Sequence, residues 1–362
     1  RLPALNRLGH AGHSNRCLQG LPSSLVEFDS SRMAVGFYCL GILDLYGLVD
    51  DKVSTTDSEG WRAWIWAQQA TGAHGSGFRP GPLATTNEPP PPPSCHPPDV
   101  YGPCSAPNLI MTYTALQALA ILRDDFAPLD RPGLARFVGA CQGPDGSFAT
   151  TPGARDADLR MSYCAFAICA MLDDWTRVDV DRALAFVARC RTFEGGYGQA
   201  PHCEAQAPSS TPSSSSSPPP TPTPTPPPPP ARLPPAQRAH TVRWLVQKQS
   251  ADGGFCGRTG KAADACYGFW CGAALRVLGA DTLVDARALA RFVARCQFRF
   301  GGIAKAPGEH PDPYHTYLSS AMLAIYCAEP AARGTDARWA LAPLDPLLNA
   351  RQDTARWARE HI

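Results

Sequence analysis

The chain carries almost no excess charge of either sign: 33 Lys and Arg against 32 Asp and Glu leave a net +1 over 362 residues. That balance gives no electrostatic reason to expect nucleic acid or an acidic membrane surface as a partner. No stretch reaches the roughly 20 uninterrupted apolar residues of a spanning helix. No apolar leader with a cleavage pattern opens the sequence, so a cytoplasmic protein with no stable membrane insertion is expected. Gly-x-Ser-x-Gly elbows, P-loops and dinucleotide fingerprints are missing, which removes the usual support for hydrolase and nucleotide-enzyme chemistry. Strand-like alternation is scarce.

Apolar residues are plentiful, 44% of the chain, enough for the core of one large domain. Fourteen cysteines are scattered, several inside apolar helical patterns, as at Cys39, Cys164, Cys169, Cys271 and Cys327. A chain of this size needs no disulfide staples, so reduced thiols are expected.

A Gly-aromatic signal recurs at Gln69 to Phe78, Gln142 to Phe148, Cys190 to Tyr197, Gln249 to Phe255 and Cys296 to Ile303. Phe148 and Tyr197 stand 49 positions apart, and Phe255 and Ile303 stand 48 apart. A period near fifty marks an array of helical hairpins. Between signals, an apolar helix precedes an amphipathic one: Leu109 to Leu122 then Pro132 to Cys141, and Leu159 to Leu172 then Val180 to Cys190. A helix apolar all round is buried, and one with a charged face is peripheral. The expectation is an all-α ring, inner helices inside outer ones, in a single domain over 1–362.

Two stretches break the period. Residues 80–107 are rich in Pro and Gly and read as a surface excursion. Residues 205–231 are dominated by Ser, Thr and Pro, a composition that cannot bury a core and reads as disordered. With about 24 such residues removed, roughly 34 remain between Tyr197 and Phe255, enough for one helix near Gln237 to Gln249 rather than two. One inner helix is expected to be missing.

Asp264 and Cys266 stand where a loop enters a helix over Tyr267 to Leu278, and the helix N-terminus favours a thiolate there. His315 follows Pro313 at the start of the next inner helix, an equivalent position one repeat later. Three protein ligands with a fourth position open are the pattern of catalytic zinc. A core Cys, a capping Asp and a helix-start His would show the same spacing. Arg258 and Lys261, on a Gly-containing loop just upstream, can receive a phosphate or diphosphate, although loop cations are commonly just solvated. Tyr163, Tyr267, Phe269 and Trp270 fit either a core or an apolar funnel.

Asp-Ala-Cys-Tyr-Gly-Phe-Trp (264–270), Pro-Asp-Pro-Tyr-His-Thr-Tyr (311–317), Met-Thr-Tyr-Thr-Ala-Leu (111–116) and Asp-Leu-Arg-Met-Ser-Tyr-Cys-Ala (158–165) together resemble the β subunits of protein prenyltransferases. The resemblance implies an α/α barrel paired with a helical-repeat α subunit, and isoprenoid transfer to a cysteine near a protein's C-terminus. It implies zinc on Asp264, Cys266 and His315, and diphosphate against Arg258, Lys261 and the Tyr267 hydroxyl. The isoprenoid would lie against Arg160, Tyr163 and Trp270.

Within the family, the farnesyl enzymes carry a tryptophan where Ala34 stands, shortening the pocket, and a magnesium-binding Asp where Lys305 stands. Ala34 and Lys305, with Ser31-Arg32 and His310-Pro311-Asp312, are similar to the type I geranylgeranyl enzymes. The resemblance therefore implies geranylgeranyl diphosphate as donor, no Mg2+ requirement, and acceptors ending in CaaX, X often Leu, such as small GTPases. The type II enzyme, specific for Rab proteins, accommodates the same longer isoprenoid. A terpenoid cyclase on a similar barrel is disfavoured, since no Asp-rich acid motif is present.

The chain departs from the family after Gly195-Gly196-Tyr197. Glu204 is kept, but Gln206 stands where the family's diphosphate-binding histidine belongs, and the low-complexity run replaces an inner helix. Either the stretch is unspliced or mistranslated, or the chain is a subunit that has lost catalysis. An abrupt Ser/Pro run favours the first.

Overall fold

A computed structural model describes residues 2–21, 28, 30–82, 106–207, 233–329, 334 and 336–362. Most of the expected excursion (83–105) and of the expected insert (208–231) lies outside them.

The first helices are α1 (Arg7–Gln19), α2 (Arg32–Leu45), α3 (Val49–Lys52) and α4 (Thr55–Trp66). After them come α5 (Leu109–Ile121), α6 (Arg131–Ala140), α7 (Leu159–Leu172), α8 (Val180–Arg189) and α9 (Pro235–Val246). The last are α10 (Tyr267–Val277), α11 (Ala286–Cys296), α12 (Pro313–Tyr326) and α13 (Gln352–His361). Boundaries match the sequence reading closely, with α9 starting two residues earlier and ending three earlier than expected.

The inner helices are α2, α5, α7, α10 and α12. In α5 every residue but Ile110 is buried, as an all-apolar surface requires, and Asn108 caps its first turn by accepting from the Ile110 and Met111 N–H groups. The outer helices α6, α8 and α11 start on Asp130, Asp179 and Asp285, each carboxylate accepting one orphan N–H, and bury one face. Packing runs α7 on α5, α5 on α2, α2 on α12 and α12 on α10, an arc of five inner helices. Among the described residues no α-helix stands between α8 and α9, so the inner layer lacks a member between α7 and α10.

Each Gly-aromatic signal closes the same antiparallel bridge, so the scarce strand pattern resolves into very short hairpins. Gln142 pairs with Phe148, Arg191 with Tyr197, Gln249 with Phe255 and Gln297 with Ile303. The first signal is longer, β1 (Gln69–Gly72) on β2 (Gly75–Phe78). Two later turns continue as β3 (Phe255–Cys256) on β4 (Ala263–Asp264), and β5 (Ile303–Ala304) on β6 (Pro311–Asp312).

Close approach explains the glycine in these turns. Gly146 has φ 90°, and an added Cβ would overlap the Arg182 carbonyl of α8, the next outer helix. Gly301, φ 99°, sits the same way on the Gly9 carbonyl of α1. The last turn therefore docks on the first helix and closes the ring. The turn at Gly195 docks on His240 of α9, so the outer layer continues through the repeat that has no inner helix among the described residues.

The C-terminal segment, with β7 (Leu344–Asp345) on β8 (Ala350–Arg351), enters between facing inner helices. The Leu348 carbonyl accepts from the Tyr113 hydroxyl at 2.8 Å and from Gln117 Nε2 at 2.6 Å, both on α5. The Asn349 carbonyl accepts from the Tyr317 hydroxyl on α12. The described cysteines are free thiols.

Candidate metal and anion site

Asp264 ends β4, Cys266 is the residue before α10, and His315 lies in the first turn of α12. Because α10 and α12 are packed neighbours, their N-terminal ends meet. One donor atom from each of the three residues lies within 4.8 Å of the others. The sequence reading that an equivalent position one repeat later would converge is met by the geometry.

His315 Nδ1 lies 2.6 Å from Asp312 Oδ2, and since a carboxylate only accepts, the proton is on Nδ1. Nε2 then points its other side at Asp264 Oδ1, 3.3 Å away. A lone pair and a carboxylate oxygen at that distance need positive charge between them, a proton on Nε2 or a metal ion. A carboxylate holding the far nitrogen of a ligating imidazole is the usual support of such a ligand. The donor set of carboxylate, thiol and imidazole suits zinc. The residues fit the group.

Titration tendencies agree with a trio that collects one positive charge. Burial pushes the Cys266 thiol up to about 11, with the Asp264 charge adding to it and a His315 hydrogen bond opposing. Burial thus works against the thiolate that the α10 N-terminus favours. Burial works against the His315 imidazolium, yet hydrogen bonds to Asp264 and Asp312 lift it to about 11. Burial also works against the Asp264 carboxylate, but hydrogen bonds from His315 and Cys266 hold it below its usual range.

Arg258 and Lys261 lie on the loop joining β3 to β4. Arg258 Nη1 is 3.1 Å from Glu204 Oε2, both side chains about half exposed, and Lys261 is exposed. The Tyr267 ring lies over Gly257, where any Cβ would collide with it. That contact explains a glycine immediately before Arg258. The Gly257 carbonyl accepts from the Ala207 N–H at 2.9 Å, which ties the end of the Glu204 segment to the same loop. Lys305 reaches the site through its backbone, its carbonyl accepting from the Ala265 N–H at 2.9 Å, while its side chain is exposed.

The remaining candidates line up along a chain of aromatic contacts. Trp270 Nε1 donates to the Tyr314 hydroxyl at 3.1 Å, and Tyr314 meets Tyr38 edge-on at 5.4 Å between centroids. Tyr38 then contacts Phe37, Phe37 contacts Tyr113, and Tyr113 meets Tyr163 at 5.6 Å. Ala34 lines a cavity of about 240 Å³ shared with Tyr38, Met111, Asp312 and Tyr314. Arg160 is clamped by Asp158, with Nε at 2.9 Å and Nη2 at 2.6 Å from Oδ2.

Three partners were not singled out for these roles from the sequence: Asp312 behind His315, Tyr314 against Trp270, and Asp158 on Arg160. Asp312 and Asp158 are the N-caps of their helices. A cap three residues before a candidate ligand was a readable signal, since one carboxylate oxygen can serve the backbone and leave the other for the side chain.

The profile of the prenyltransferase alpha-alpha toroid domain matches residues 5–350. The geranylgeranyl transferase type-1 subunit beta of Arabidopsis thaliana is 35% identical over 214 residues, 58% of this chain and 56% of that protein. Its Dictyostelium discoideum counterpart is 35% identical over 217 residues, 59% and 58% of the two chains. The chain thus spans little more than half the length of these relatives. The type-2 subunit beta of Saccharomyces cerevisiae is 29% identical over 67% of each chain. Among solved structures, the Candida albicans protein geranylgeranyltransferase-I complexed with GGPP superposes with a TM-score of 0.81. It covers 99% of this chain and 100% of that one at 22% identity, a likeness of fold.

Proposed function

Because the chain belongs to the prenyltransferase α/α toroid family, we propose that it is the β-type chain of a zinc-dependent protein geranylgeranyltransferase of type I. In this reading it moves a geranylgeranyl group from geranylgeranyl diphosphate to the cysteine of C-terminal CaaX sequences, X often Leu, on proteins such as small GTPases. It works in the cytoplasm with an α subunit.

The observation that carries the reading is the convergence of Asp264, Cys266 and His315, with Asp312 behind the imidazole. These residues would hold zinc, which when bound lowers the pKa of an acceptor thiol so that its thiolate exists near neutral pH. Arg258 and Lys261 stabilise the charge growing on the departing diphosphate, and the Tyr267 hydroxyl donates to it. Lys305 supplies at the mouth a positive charge that removes the need for Mg2+. Trp270, Tyr163 and Arg160 flank the isoprenoid, and the small side chain of Ala34 leaves length for it. Among relatives, the type-1 subunits are the more similar by identity, which favours CaaX acceptors over the type II alternative.

A second reading, a partner-binding subunit without catalysis, is favoured by Gln206 at the histidine position and by the lack, among the described residues, of an inner helix between α7 and α10. Co-expression with an α subunit, followed by metal analysis and competing farnesyl and geranylgeranyl transfer to a peptide ending in Cys-a-a-Leu, separates the two. About one zinc per chain, lost in Cys266→Ala, with geranylgeranyl preferred, is expected. Zinc with no transfer would favour the second reading, and no zinc would remove the first.

A further inference from the structure

A second cluster of reactive side chains lies away from this site, between α1 and α2. His13 and Cys17 stand one turn apart on α1, with Sγ 3.9 Å from Nε2. Cys39, on the α2 helix packed against α1, lies near enough to Cys17 for the two thiols to influence each other, and it is fully buried. Cys17 is half-buried and lines a cavity of about 600 Å³ with Leu40, Trp61 and Trp64, so small molecules have a route to its sulfur. The Cys39 thiol, then His13 and Arg16, draw the Cys17 thiol down to about 5 against the cost of burial. Burial, the largest influence on each, raises the thiols of Cys141, Cys169 and Cys271. Reactivity follows thiolate character and access together, and Cys17 has both.

We propose that Cys17 is an oxidation site for hydrogen peroxide, with Cys39 as its resolving thiol. His13 takes the Cys17 proton. The thiolate attacks one peroxide oxygen, the O–O bond breaks, and hydroxide leaves to be protonated as water. Cys17 is now a sulfenic acid, oxidised by two electrons, and the peroxide is reduced by two. The Cys39 sulfur then attacks the Cys17 sulfur, the S–O bond breaks, and hydroxide leaves with the Cys39 proton as a second water. The product is a Cys17–Cys39 disulfide. It staples α1, whose Gly9 carbonyl receives the last turn of the ring, to the inner helix α2.

The test is peptide mapping of the full chain after hydrogen peroxide, with iodoacetamide alkylation rates read beside it. Cys203, exposed and distant in sequence, is the internal reference. A peptide pair joined through Cys17 and Cys39, lighter by two hydrogens, is expected, and in Cys39→Ser the Cys17 sulfur is instead captured by dimedone. Cys17 should alkylate at least about tenfold faster than Cys203 at pH 6, and His13→Ala should remove most of that advantage. Alkylation of native Cys17 no faster than Cys203, or a peroxide product with no Cys17–Cys39 link, overturns the proposal. Both readouts use the unsubstituted chain, so a variant that fails to fold leaves them decisive.

Discussion

Asp312 holds His315 by two bonds at once: its Oδ1 accepts the His315 backbone N–H at 2.8 Å, and its Oδ2 accepts the ring Nδ1–H at 2.6 Å. One carboxylate thereby starts α12 and fixes the imidazole so that Nε2 faces Asp264. Asp312→Asn keeps a capping oxygen but removes the charge behind the ring. Zinc affinity is expected to fall by about 10–100-fold with little change in melting temperature. Competition with a chelator of known affinity reads the first quantity, and circular dichroism the second.

Gly301 and Gly308 have similar backbone angles, φ 99° and 88°, but different surroundings. A Cβ at Gly301 runs into the Gly9 backbone, whereas at Gly308 nothing lies within 4 Å. Gly308→Ala is expected to cost about 1 kcal/mol, the left-handed backbone penalty alone. Gly301→Ala adds overpacking and is expected to cost about 2–4 kcal/mol in all. Urea midpoints of the two variants compare them directly.

Two buried groups oppose each other in acid. His10 is fully buried, donates from Nε2 to Gln297 Oε1 and accepts the Gly302 N–H at Nδ1, leaving no place for a second proton. Burial lowers it from 6.5 to about 4, so the unfolded chain binds the extra proton and stability falls as pH drops from 6.5 towards 4. Burial raises Asp44 from 3.8 to about 6, with Thr354 and Arg351 opposing, so here the folded chain binds the proton and stability rises as pH drops from 6 towards 4. Each contribution is on the order of 3 kcal/mol, and they largely cancel. Asp44→Asn should therefore unmask a loss of stability between pH 6.5 and 4, and His10→Gln a gain. Denaturation midpoints at pH 7 and pH 4.5 check both signs.

Asp158 serves α7 as cap and Arg160 as clamp. Asp158→Asn retains a capping oxygen, so stability should stay within about 0.5 kcal/mol, while Asp158→Ala should lose about 1 kcal/mol. If the clamp matters for substrate, both variants raise KM alike with kcat less affected. A KM change in Asp158→Ala alone would trace the effect to the helix start instead.

Much of this arrangement was readable from one chain. The fifty-residue period gave the helix pairs, and each Gly-aromatic signal became a bridged turn because the same backbone approach recurs in every repeat. Asp264, Cys266 and His315 were readable because two of them adjoin one helix start and the third occupies the equivalent start one repeat later. The closure of the ring was not, since nothing local in Gly9 or Gly301 names its partner across the sequence. The Glu204–Arg258 pair and the aromatic contacts from Trp270 to Tyr163 escaped for the same reason. Their partners come from different helices or from separate loops, and spacing within one element carries no record of them.

The docking of the 301 turn on α1 also bears on the order in which the protein assembles. Helices within a repeat and most neighbouring repeats are close in sequence, so much of the arc can form by local propagation, as in other repeat arrays. The contact between positions 9 and 301 must instead close nearly the whole chain, and its entropic cost is repaid only once the intervening helices are in place. An open crescent, with the packing of α2 on α12 and the docking of the 301 turn on α1 both still unmade, is thus the natural precursor, and α1 and α2 close it together as its latch.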